Sequence, residues 1–526
     1  MRFVTRQRAG NASSISDDVH PTADEQVDAD AGAPSRLTTA VVRGAGITGA
    51  GVLLTQVITF ASYAVLARLA GPAVFGAFAA AWTFVGFSTI FAESGMSAAL
   101  IQRKDRLEEA AATAVVSTLT AGVGLSTLAL VLSPVLGLYF DSREIGVIAA
   151  ALSGLLFLHA ASVVPDALLR RRFSVVRFGV IDPINAIAYG AVSAVTLALG
   201  LGVWGLVIAT YAAALLRVSV AWLLAGWLPD LRAASFAMWR ELARYARPIV
   251  ASELLRQISG IANTLLVGRF LGLAPLGAYR FGWRMATQAA IPLGSAGAYA
   301  LFPAFARIAD EPARFRASFL RAIRLMAVLI IPTGVALIPL GEQIAVVFLG
   351  ESWRSTGHVL AALAGVTVSI PLLTLTSDVF QAANRPEIVA RVALFLTVGS
   401  VLFMVAFLPF GIVGVAGGFS LAYALASVVA LRAVGRVLVL PLTKIFTELL
   451  RPALASVAML LALTLFVRFV ATVDNESTLS QLAWLAAEVL LAIVSYGAIL
   501  AVIAPSAVAE LKLASRTLVR SFSRAR

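Results

Sequence analysis

The stretch LLTQVITFASYAVLARLAGPAVFGAFAAAW, Leu53–Trp82, returns 201 positions later as LLRQISGIANTLLVGRFLGLAPLGAYRFGW, Leu254–Trp283, with ten identities in thirty positions. The matches include Gln56/Gln257, Arg68/Arg269, Gly71/Gly272, Gly76/Gly277 and Trp82/Trp283. Gln and Trp are scarce in this chain, so shared apolar composition explains the match poorly. Each copy holds an apolar run of about the 20 residues that cross a bilayer, then a glycine-marked break and the start of a second run. Gly202-Val203-Trp204-Gly205 and Gly411-Ile412-Val413-Gly414 echo one another in the same way.

Outward from this repeat, apolar runs recur along nearly the whole chain. Its 526 residues are 60% hydrophobic and 13% charged, with a mean hydropathy of +0.91. Soluble domains average roughly a quarter charged residues, and a soluble globule of this composition would aggregate. Hydropathy predicts fourteen transmembrane helices between Gly46 and Ile503. Six of them separate the two copies, an even number, so both copies cross in the same direction and the halves relate by an axis along the membrane normal. The expected fold is all-α: a six-helix bundle over 44–228, a linker helix over 229–247, a second parallel bundle over 248–436 and a terminal helix pair over 437–505. An acidic tail at 1–43 reads as disordered, and a basic tail follows at 506–526. No apolar stretch directly follows Arg2, Arg6 and Arg8, so the first span is expected to be an uncleaved signal anchor.

Basic residues set the orientation. With the N-terminus inside, 32 of the 41 Lys and Arg fall in inside segments, among them Arg170, Arg171 and Arg172, so both termini are expected in the cytoplasm. This placement accounts for the +13 charge without a nucleic-acid surface. The chain has no cysteine, and its three histidines are scattered, which disfavours a thiolate metal site or a Ser-His nucleophile. Lys104, Lys444 and Lys512 lack the context of a phosphate-cradling loop. The longest outer loop, expected near Gly341–Gly357, offers only Glu342 and Glu351 as acids. No enzyme chemistry and no cofactor are expected. Two bundles facing a cleft are instead the architecture of a rocking secondary transporter.

Ionisable groups inside spans are costly and usually face a bundle interior or an aqueous cavity. Arg217 lies past the midplane of span six, roughly 20 Å from its outer end. Arg280, Arg284 and Gln288 follow at i, i+4 and i+8 in span eight, one polar stripe whose guanidinium forks suit phosphate oxygens. Glu253 and Arg256, near the inner end of span seven, read equally well as an intrahelical pair. Arg68 and Arg269 sit at outer span ends, where snorkelling to headgroups is the ordinary role. Glu93, Asp182 and Asp378 lie near inner span ends, where partnership with a neighbouring helix is ordinary. Glu253, Asp378 and Glu93 are also the carboxylates through which a proton or sodium ion could be coupled. Glu488 has no evident partner. Trp239–Arg247 reads as a short amphipathic helix anchored at the inner interface.

The run Leu66–Phe78 followed by Glu93–Asp105, then Leu168–Phe173, then Leu266–Gly272 with Gly277-Ala278-Tyr279, resembles the polysaccharide flippase family of the multidrug/oligosaccharidyl-lipid/polysaccharide exporter superfamily. The individual motifs are loose, but their order holds over roughly Gly46–Arg436. The resemblance implies export of a polyprenyl-diphosphate-linked oligosaccharide across the inner membrane, for exopolysaccharide, capsule or O-antigen synthesis. It also implies membrane lipids, glycosyltransferases and a polymerase as partners. On that reading the diphosphate is held first by Arg217 and Arg256 and then by Arg280 and Arg284. The superfamily's drug/cation antiporters are the alternative, although they generally carry a carboxylate in the first span and Gly46–Leu69 has none. A lipid II flippase would use the same chemistry.

Overall fold

The computed structural model describes residues 54–103, 105–171, 175–469, 478–505 and 510. The tail expected at 1–43 lies outside them, as does nearly all of 506–526. Every described element is helical; the expected spans at 74–92, 145–164 and 359–379 are each divided between two helices, and the first begins outside the described residues. In the N-terminal half these are α1 (Leu54–Leu69), α2 (Pro72–Ala81), α3 (Thr83–Gln102), α4 (Leu107–Tyr139), α5 (Arg143–Leu152), α6 (Leu155–Arg171), α7 (Val175–Ala198) and α8 (Gly202–Ala225). The C-terminal half follows as α9 (Phe236–Phe270), α10 (Leu273–Arg307), α11 (Pro312–Leu349), α12 (Arg354–Ala362), α13 (Ala364–Ala382), α14 (Pro386–Phe407) and α15 (Gly411–Val437). The terminal pair is α16 (Leu442–Phe469) and α17 (Thr478–Ile503).

Among the described residues, eight runs are long and apolar enough to cross a membrane, or ten if each of two bent pairs is one span. One of the eight, Pro386–Val437, is 52 residues long, which as a single helix would reach roughly 80 Å. It folds back instead. A Cβ placed on Gly414 would meet the Phe407 carbonyl and one on Gly418 would meet that of Phe403, so α14 and α15 pack as an antiparallel hairpin. Large apolar side chains face outward along the helices, with Leu223 of α8 79% and Leu402 of α14 63% exposed. Such surfaces are stable in lipid and not in water. The protein is a multi-pass membrane protein.

Local sequence sets the breaks. Gly71 is extended, and Pro72 opens α2 at the position where a missing N–H costs nothing. Gly226 ends α8 in the left-handed region and donates its N–H to the Trp222 carbonyl. Two expectations fail at such boundaries. The linker helix drawn to end at 247 does not end there, because α9 runs unbroken for 35 residues across that boundary. The segment Gly341–Gly357 is not an open loop: α11 continues to Leu349 and a 3-10 turn, Glu351–Trp353, leads into α12. Its two end glycines let the helices touch, since a Cβ on Gly341 would lie 2.7 Å from the Gly357 carbonyl oxygen.

The repeat is visible where the halves meet. A Cβ on Gly76 of α2 would sit 1.8 Å from the Leu273 carbonyl oxygen, and one on Gly277 of α10 would sit 1.9 Å from that of Pro72. Gly76 and Gly277 are 201 residues apart, and so are Pro72 and Leu273, so each contact is the image of the other. A two-fold axis between α2 and α10 requires this reciprocity, and backbone-to-backbone contact of this closeness requires glycine. The terminal pair docks separately on α11. There the Arg324 guanidinium grips both oxygens of Glu448, at 2.6 and 2.7 Å, and also reaches Glu510 at 3.3 Å.

Candidate functional site

The polar stripe of α10 faces α1 of the other half. Arg284 donates from Nη1 to the Tyr63 hydroxyl at 3.0 Å, and its guanidinium carbon lies 3.9 Å from the centre of the Tyr63 ring. One turn further along, Gln288 donates from Nε2 to Gln56 Oε1 at 3.2 Å. Gln56 and Tyr63 stand two turns apart on one face of α1, as Arg284 and Gln288 stand one turn apart on α10, so the two stripes zip together. Arg280 lies one turn before Arg284 on the same face of α10, with its side chain exposed.

Neither arginine of this stripe is paired with a carboxylate among the described residues. Arg284 has only the tyrosine, and its Nε is buried without a partner. Tyr189 of α7 stands behind Tyr63 with ring centres 6.4 Å apart, and on α9 the Asn263 amide donates to the Tyr279 hydroxyl at 2.6 Å. The stripe and its surroundings thus carry two positive charges, aromatic hydroxyls and amides. A site of this kind accepts an anion rich in oxygen, and the planar guanidinium fork matches the paired oxygens of phosphate.

Toward the expected outer surface, aromatic rings from both halves pack into a seal. Phe281 lies 4.9 Å from Phe75 and 4.3 Å from Trp353 between ring centres, and the Trp353 indole donates across the halves to the Ala67 carbonyl at 2.8 Å. Arg68 does not snorkel here. Its guanidinium caps α11 by donating to the carbonyls of Val347 and Phe348, groups that the last turn of a helix leaves without intrahelical partners. The Gly76–Gly277 contact belongs to the same seal.

Arg217 lies elsewhere and is differently furnished. Its Nη2 binds Asp166 at 2.7 Å and its Nη1 binds Asp182 at 3.0 Å, so α8, α6 and α7 are tied together inside the N-terminal half. Among the described residues, none of the side-chain bonds of Arg217 reaches the stripe. Asp378 on α13 is buried, and its Oδ2 has no hydrogen-bond partner. Glu488 on α17 is fully buried beside Gln343 of α11. The side chains of Glu93, Glu253 and Arg256 lie outside the described residues.

Sequence reasoning missed Tyr63, Gln56, Trp353 and Asp166. Gln56 was visible as a repeat marker, and its spacing of seven from Tyr63 was the available signal for a polar face on α1. Asp166 escaped because it lies just beyond the expected end of span four.

The sequence matches the family described as polysaccharide biosynthesis protein over residues 65–357, more than half of its length. The chain belongs to this family. It is 28% identical over 320 residues to the succinoglycan biosynthesis transport protein ExoT of Rhizobium meliloti, an alignment covering 58% of this chain and 62% of that protein. It is 22% identical over 344 residues to the lipopolysaccharide biosynthesis protein WzxC of Escherichia coli, covering 63% and 68%. The first of these family relatives is thus matched over about three fifths of its length. Among solved structures, the lipid II flippase MurJ in an inward closed conformation superposes with a TM-score of 0.70 at 13% identity, covering 88% of this chain and 99% of MurJ. An inward-facing multidrug resistance transporter of the MATE family gives 0.59 at 19% identity, covering 73% and 95%. At these identities the likeness is one of fold, and the fold is that of polytopic transporters.

Proposed function

We propose that this protein flips a polyprenyl-diphosphate-linked oligosaccharide across the inner membrane for exopolysaccharide, capsule or O-antigen synthesis. The observation that carries this reading is the polar stripe of α10, in which, among the described residues, Arg280 and Arg284 have no carboxylate and Arg284 Nε has no hydrogen-bond partner. A cation carrier would need the opposite sign in that place. Membership of a polysaccharide biosynthesis family supplies the class of cargo.

In this mechanism the chain crosses the membrane fourteen times with both termini inside. The diphosphate reaches Arg280 and Arg284 from the inner face, the glycan lies against the amides of Gln56 and Gln288, and the prenyl tail stays in lipid. Rocking of the halves then opens the seal of Phe75, Phe281 and Trp353. With the inside negative, outward movement of each negative charge gains about 2.3 kcal/mol per 100 mV, so the membrane potential alone favours export. Asp378 remains the described carboxylate available for ion coupling. The glycosyltransferases that build the cargo and the polymerase that consumes it are the partners this role requires.

Deletion of the gene in its host tests the reading. Lipid-linked oligosaccharide is expected to accumulate on the inner face, with loss of polymer outside. Unchanged lipid-linked intermediates would refute the assignment.

A further inference from the structure

The first three turns of α9 have two unlike faces. Met238, Leu242 and Ala246, at spacing four, are buried, the first two in one cluster with Ala99, Leu100, Ala110, Ala111 and Leu168 of the N-terminal half. The opposite stripe is Phe236, Trp239, Arg240, Arg244 and Arg247, and every one of these side chains is exposed. Phe236 and Trp239 stack with ring centres 5.1 Å apart, and Arg240 places its guanidinium carbon 5.6 Å over the Phe236 ring. The acid within this stretch, Glu241, lies to one side and is held by Arg103 at 2.9 Å, although the charge of Arg244 also acts on it, so the three arginines leave the stripe net positive.

We propose that this stripe is a binding surface for anionic phospholipid headgroups. Phe236 at 68% exposure and Trp239 at 39% are too exposed to be explained by packing within the chain. Aromatic rings of this kind rest at the boundary of headgroups and acyl chains, and the three arginines one to three turns further on supply the charge that an anionic headgroup complements. The surface is also mechanically placed. α9 continues without a break from this stripe to Phe270, past Asn263 and its bond to Tyr279 of α10. Lipid held at one end therefore bears on the rod that carries the other end between the halves. The proposal does not depend on which cargo is transported.

Native mass spectrometry of the full-length protein released from detergent tests it, using phosphatidylglycerol and phosphatidylcholine as probes. The unaltered protein should retain phosphatidylglycerol preferentially, and that retention should weaken as salt rises. The triple variant Arg240→Gln/Arg244→Gln/Arg247→Gln should lose preference by about fivefold per arginine, while phosphatidylcholine retention stays constant. The corresponding triple change to Lys should keep the preference, because the charge is kept. Equal retention of the two lipids by the unaltered protein overturns the proposal, as does an undiminished preference in the Gln variant. Should the Gln variant fail to fold, the salt dependence of the unaltered protein decides: a preference insensitive to salt overturns the proposal.

Discussion

Arg217 and Arg284 are both arginines in membrane-spanning helices, and the structure treats them in opposite ways. Arg217 is enclosed by two carboxylates from neighbouring helices of its own half. Arg284 faces the other half and is satisfied only by the face and hydroxyl of a tyrosine. A charge buried with its counter-charges is a fixed part of a scaffold, whereas a charge buried without them keeps a site ready for an anion from outside the chain. The comparison divides residues that sequence alone had grouped into one headgroup path, and on the proposed mechanism the anion site lies between the halves rather than within one.

The largest effect expected from this contrast is on transport. Arg284→Ala and Arg280→Ala should each abolish flipping, measured as accumulation of lipid-linked oligosaccharide on the inner face, while normal amounts of folded protein remain in the membrane. Arg284→Lys should restore only part of the activity, since a point charge replaces the attraction but not the planar fork. Full transport by both Ala variants would show that the unpaired arginines are incidental.

Arg217→Ala should act on the fold instead. Removing one partner of a buried ion cluster leaves the other charges uncompensated, at a cost of about 3–5 kcal/mol when fully buried. Asp182 is 46% exposed, so solvent shields part of the penalty and about 2 kcal/mol is the expected loss. Thermal unfolding in detergent should report it. Neutralising the carboxylates as well, with Asp166→Asn and Asp182→Asn, should recover much of the loss. A variant that unfolds normally but cannot transport would move Arg217 to the anion site.

A smaller effect is expected at Tyr63. Tyr63→Phe keeps the ring under the Arg284 guanidinium and removes the hydroxyl that accepts its hydrogen bond. Cation–π attraction of about 0.5–2 kcal/mol then still holds the side chain in place. Transport should fall a few-fold, well short of the loss in Arg284→Ala, when assayed in the same cells. Loss equal to that of Arg284→Ala would make the hydroxyl itself part of the anion site.

The helices were legible because every span imposes its own length and apolarity, and those constraints act within a single segment. The two-fold relation was legible for the same reason: Gly76 and Gly277 are local markers of a repeat. The division of the arginines was not, because it depends on which helices become neighbours. Asp166, Asp182 and Arg217 are scattered over fifty residues of sequence and meet only after α6, α7 and α8 pack. Arg68 misled for a related reason. Its position at a span end fits snorkelling, and only the approach of α11 offers it carbonyls to cap.

The comparison gains a third case, and its smallest expected effect, in Arg103 and Glu241. Here too an arginine meets a carboxylate, at 2.9 Å, but the Glu241 side chain is 59% exposed. The Arg103 hydrogen bond holds the Glu241 carboxyl below its ordinary range. A carboxyl lowered on folding contributes stability above its unfolded value, and that contribution disappears as pH falls through the lower, folded value. Water screens the pair, and exposed ion pairs contribute little. Glu241→Gln should therefore leave thermal stability at neutral pH nearly unchanged and should slightly flatten its decline in acid, read from unfolding curves across that range. A drop at neutral pH as large as that of Arg217→Ala would show that pairing, and not burial, is what separates the scaffold arginines from those of the stripe.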